Sequence, residues 1–129
     1  MTRQPLPIRL TIPAEIHLLR LARMTAATVC ADLDFCIQDI EDVRVAVDEL
    51  AALLIQDAGS DAVLDLCFGS EGDAVIVIGE VRGGSGRVPV VHPVAAELLE
   101  LVADSYELRL GDGGEPGFRL VKQRRSLEA

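Results

Sequence analysis

Several residues of this 129-residue chain are of types that could do chemistry. Glu49 would act as a general base only with a substrate hydroxyl and a phosphoryl donor within reach; otherwise it is a solvated acid. Gly83-Gly84-Ser85-Gly86 could bring backbone amides to a phosphate, but glycines at this spacing more simply make a mobile loop. Arg20 and Arg23 stand one helical turn apart. They are either a solvated pair or interface anchors, because the planar guanidinium makes bidentate contacts with carboxylates. Asp39, Glu41, Asp42 and Asp48 read as a solvated helix face that could steer a basic partner. Cys30, Cys36 and Cys67 are odd in number and lie in apolar surroundings, which suits reduced core thiols better than a disulfide framework. His17 and His92 are far from any ligand spacing, so no metal site is expected.

The elements that must position these residues follow from periodicity. Residues 6–12, LPIRLTI, alternate apolar and polar side chains, with Leu6, Ile8, Leu10 and Ile12 on one side of a first strand. Pro13 suits a first helical turn, and residues 14–31 carry Leu18, Leu21, Ala22 and Val29 at helical spacing. Asp34 can cap the next helix, which spans about residues 36–57 with Ile37, Ile40, Val43, Val47, Leu50 and Leu54 as its apolar stripe. Runs 62–68 and 74–81, joined by Gly69 to Asp73, form an antiparallel hairpin whose second strand is central. A flexible loop covers 82–89, and a third helix runs from His92-Pro93 to about Ala103 with Val94, Leu98, Leu101 and Val102 inward. Strands 105–110 and 117–123 close the chain. The expected architecture is a single-domain α+β two-layer sandwich, a mixed or antiparallel sheet with helices on one face.

Composition narrows the functions. The net charge of −9 argues against nucleic-acid binding, and Lys122-Gln123-Arg124-Arg125 is too short for a nucleic-acid arm. Half of the residues are hydrophobic, with few aromatics, so the core is aliphatic. No apolar run is long enough to span a bilayer, and MTRQPLPIRL lacks the apolar segment and cleavage site of a signal peptide. A cytoplasmic protein that binds proteins or small molecules is expected.

The element order, with LTIPAEIHLLRLARMTAATV and DIEDVRVAVDELAALLIQDA, resembles the anti-sigma-factor serine kinases of the RsbW type, in the histidine-kinase-like ATPase superfamily. Ala22-Arg23-Met24-Thr25, Asp42 through Glu49, and Gly117-Phe118-Arg119-Leu120-Val121-Lys122 carry most of the likeness. The resemblance implies an ATP site between the long helix and the sheet, made of three elements. In the Glu–x–x–x–Asn pattern the glutamate polarises an attacking hydroxyl and the asparagine ligates magnesium; here Glu49 is followed by Leu53, which offers no oxygen to a hard cation. In the Asp–x–Gly–x–Gly loop the aspartate bonds adenine; here the segment reads Glu80-Val81-Arg82-Gly83-Gly84, retaining only Gly84 and a longer acid. The glycine-rich turn before the following helix is replaced by residues 89–96, which hold Pro89 and Pro93 and no glycine.

The resemblance therefore implies a degenerate member, with no cofactor, that binds a sigma factor or a STAS-type antagonist through Arg20 and Arg23 and can form a homodimer. Glu49, Leu53, Glu80 and Gly84 mark its altered ATP site. An active Mg-ATP-dependent serine/threonine kinase for such an antagonist is the alternative. A third reading is a dimerisation or sensory domain holding another small ligand in a pocket of Leu53, Ile55, Val91 and Val94.

Overall fold

The computed structural model describes residues 7–125, so Leu6 lies outside the described part. In chain order the elements are β1 (Ile8–Pro13), a 3-10 turn (Ile16–Leu18), α1 (Leu19–Asp32), α2 (Ile37–Gln56), β2 (Val63–Glu71), β3 (Ala74–Arg82), α3 (Pro93–Val102), β4 (Ser105–Leu110) and β5 (Pro116–Gln123). The five strands form one sheet in the order β1-β2-β3-β5-β4, with every neighbouring pair antiparallel. This makes β3 central, as its continuous apolar run requires. The β2–β3 hairpin turns tightly on Gly72, whose φ of 59° is the positive value a first turn position needs to match strand twist.

Register places Leu64, Leu66 and Phe68 beside Val81, Gly79 and Val77, and the last two beside Phe118 and Leu120. These side chains are buried on a single face of the sheet, together with Leu50, Val43, Val47 and Leu54 from α2. The architecture is an α+β two-layer sandwich with the helices over one face. Gly79 belongs to this packing: a Cβ there would stand 2.4 Å from the Phe118 ring and 2.9 Å from Leu66.

Several local expectations are corrected. Pro13 ends β1 rather than opening a helix, which an edge strand tolerates because its outer amides need no partner. The buried stripe of α1 is Leu19, Ala22, Ala26, Val29 and Cys30, and Leu21 is exposed. Asp34 has a left-handed φ of 63° in the turn between α1 and α2, while Cys36 holds the N-cap position with no side-chain cap. Ile37 is exposed. In α3 the fully buried residue is Leu99, and Val94 and Leu101 face outward. Glu97 and Glu100 mark its outward side, and Val94 and Leu101 lie on that side with them.

Candidate functional site

α2 lies between α1 and α3 and over strands β3 and β5, which makes it the platform for the expected site. Asp42, Glu49 and Leu53 share one of its flanks by their seven- and four-residue spacing. Glu49 is half-buried and makes no hydrogen bond or ion pair among the described residues. One turn on, Leu53 is only 9% exposed and belongs to the aliphatic core, as does Ile55. Val91 packs against that core from the loop before α3, whereas Val94 is 79% exposed.

Glu80 stands elsewhere. Strand alternation sends Gly79 and Val81 toward the helices, so Glu80 points to the opposite, open face, opposite Asp65 and Gly117 in register. A Cβ on Gly111 would meet its carboxylate at 2.8 Å, which shows where that group rests. The sheet therefore separates Glu80 from Glu49 and Leu53. Beside it, Asp65 accepts hydrogen bonds from Thr11 Oγ1 (2.7 Å) and from Arg82 Nε (2.7 Å). Partial burial opposes ionisation of Asp65, but these donors and the Arg82 charge outweigh it and hold the carboxyl below its usual range.

Gly84 also has a packing reason. A Cβ would stand 3.1 Å from Val81 and 3.4 Å from Pro116. Gly83, at a φ of 82°, turns the chain so that its carbonyl accepts from the Gly59 amide at 3.2 Å. This pins the loop to the end of α2. Between that end and the loop lies a cavity of about 300 Å³ whose lining includes Gln56, Asp57, Arg87, Val90 and His92.

On the other side of α2, Arg23 is half-exposed and pairs with Asp48, which joins α1 to α2. Arg20 is exposed one turn earlier, among the exposed Ile16, Leu21 and Met24. Arg20 and Arg23 are thus brought together on one helix, distant in the fold from Glu80.

No family model matches the sequence, and no curated protein matches it. Among solved structures, the chain is similar to the crystal structure of the RsbU and RsbW domains of Rv1364c from Mycobacterium tuberculosis, with a TM-score of 0.69 and 18% sequence identity. The match covers 92% of this chain and 32% of that one, so the chain spans about a third of the length of that structure. The fold is RsbW-like. At this identity the likeness is one of fold, and the chemistry must be read from the residues.

Within this RsbW-like fold, a buried polar cluster joins α2 to β5. Asp39 and Asp42 do not form a solvated face; they are 0% and 7% exposed. Lys122, the chain's only lysine, is itself buried and stands 3.2 Å from Asp42 Oδ2 and 3.9 Å from Asp39 Oδ1. The Arg125 amide donates to Asp39 Oδ2 at 3.1 Å, and Gln38 Nε2 donates to Asp42 Oδ1 at 3.0 Å. Arg125 Nε lies 2.8 Å from Asp39 Oδ1, close enough for charge pairing but out of line for a hydrogen bond, so Oδ1 accepts none. Two acids and two bases thus lock the end of β5 over the start of α2. Lys122, near the end of β5, is turned inward. The available local signal was a pair of acids at i and i+3 beside the apolar stripe of α2.

The three cysteines are free, and Cys30 is buried. Burial, with the nearby Asp39 carboxylate, pushes the Cys30 thiol up to about 12, so it is a packing group and not a nucleophile. No group of three or more metal-ligating side chains occurs among the described residues, and no helix among them is long and apolar enough to cross a membrane.

Proposed function

We propose that this chain is an anti-sigma-type regulator that works by protein binding and does not use Mg-ATP productively. The observation that carries this reading is Leu53. Its side chain is packed in the core one turn beyond an unpartnered Glu49, at the place where the fold's chemistry calls for an oxygen ligand. The residues present do not fit Mg-ATP. Leu53 offers the cation nothing, Glu80 faces the other side of the sheet, and the turn before α3 contains prolines where backbone amides would be needed. Capture of a cytoplasmic sigma factor or a STAS-domain antagonist falls to α1, where Arg20 and Arg23 stand among exposed Ile16 and Met24. Exposed apolar residues around arginine are the composition of an interface core.

Calorimetric titration of Mg-ATP into the native chain tests the first half of the reading, with Leu53→Asn as the companion. No heat of binding is expected from the native protein. Micromolar, magnesium-dependent binding would overturn the reading and favour a serine kinase in which Glu49 takes the proton of a partner hydroxyl. The second half is tested by Arg23→Glu. This variant should weaken capture of a STAS or sigma partner by about tenfold, with an almost unchanged melt because an exposed ion pair contributes under about 1 kcal/mol. Equal capture by the variant removes α1 as the binding face.

A further inference from the structure

α3 is rich in apolar residues yet buries little of itself. Every residue from Pro93 to Val102 is apolar except Glu97 and Glu100, but only Leu99 is fully buried. The helix sits at the edge of the helical layer, packed chiefly against α2, with Glu97 and Glu100 on the same outward side as Val94 and Leu101. Val94 and Leu101 are 79% and 80% exposed, and with half-buried Leu98 between them they follow four- and three-residue steps along one stripe. Val90, just before the helix, is 83% exposed. At the other end lies a cavity of about 370 Å³ lined by Glu100, Ala103, Asp104, Ser105 and Tyr106. Two carboxylates meet the negative end of the α3 dipole there, an environment that favours a cation.

We propose that the outer face of α3 docks an amphipathic helix of another protein, with apolar residues along Val94, Leu98 and Leu101 and a Lys or Arg reaching the Glu100–Asp104 cavity. Charge selects this occupant over a second copy of the chain. Each copy carries −9, and pairing α3 with its own image sets Glu97 and Glu100 against like charges with no basic residue in the helix to offset them. The surface lies across α2 from α1, so it stands whether or not α1 is the capture face. Helix-in-groove recognition of this kind is read from anchors at three- and four-residue steps.

The test uses the full chain and a fluorescein-labelled, 14-residue amphipathic helix of Leu and Lys, followed by anisotropy. Saturable binding is expected. Val94→Gln with Leu101→Gln should weaken it by about tenfold without changing the charge. Glu97→Gln with Glu100→Gln should weaken it and flatten its salt dependence, whereas Ile16→Gln with Met24→Gln on α1 should leave it unchanged. Absence of saturable binding, or equal binding by the Val94→Gln/Leu101→Gln variant, overturns the proposal. So does a native dimer in sedimentation equilibrium that this same variant converts to monomer, because the occupant is then a second copy.

Discussion

Asp42, Glu49 and Leu53 follow one another along a single flank of α2, yet its N-terminal end buries charge and its C-terminal end buries hydrocarbon. At the first end Asp39 and Asp42 face Lys122 and Arg125 in a nearly complete network. At the second, Leu53 fills the core, and Glu49 between them has no partner among the described residues. The comparison teaches that buried polarity in this chain ties the last strand to α2. The ion network fastens the last strand, and Leu53 at the other end is packed in the core.

The comparison breaks most sharply at Lys122. Lys122→Ala leaves two nearly inaccessible carboxylates with only the half-exposed Arg125 to answer them. Removing one partner of a buried ion pair costs about 3–5 kcal/mol, read as a fall in the urea midpoint at unchanged slope. The double change Lys122→Met with Asp42→Leu should recover much of that loss, because an apolar pair needs no desolvation of charge. If Lys122→Ala shifts the midpoint no more than a surface change does, the network is not what closes the sheet onto α2.

Leu53→Asn comes next. The side chain is nearly isosteric, but it places an amide in the aliphatic core, and an unpaired buried polar group costs about 1–3 kcal/mol. The variant should therefore melt earlier than the native chain while staying folded. A neutral or stabilising effect would mean that the flank at position 53 is open to water, and the argument from packing against Mg-ATP would fail with it.

These two ends also mark what could be read in advance. The apolar stripe of α2, the hairpin and the element order depend on local periods of 3.6 and 2, and the structure has them within a few residues of their expected bounds. The charge network depends on pairs 80 and 86 residues apart, so Asp39 and Asp42 showed only their usual preference for solvent. The side of the sheet that Glu80 takes was not legible for a different reason: motif position does not encode which side of a strand a residue takes, and one step of alternation moves a carboxylate across the sheet. The placement of Leu53 one turn beyond Glu49 was legible because helical spacing alone sets it.

Glu49 supplies the smallest effect and the finest test. It is half-buried and unpartnered among the described residues, and Glu49→Gln keeps its shape while removing its charge, so stability should change by less than about 0.5 kcal/mol. Asp42, seven residues earlier on the same flank, should respond severalfold more to Asp42→Asn because its partners are buried with it. Equal responses would mean that Glu49 has a charge partner in solution. The two halves of α2 would then not differ in kind, and Glu49 would regain its claim to be a held, working acid rather than an idle one.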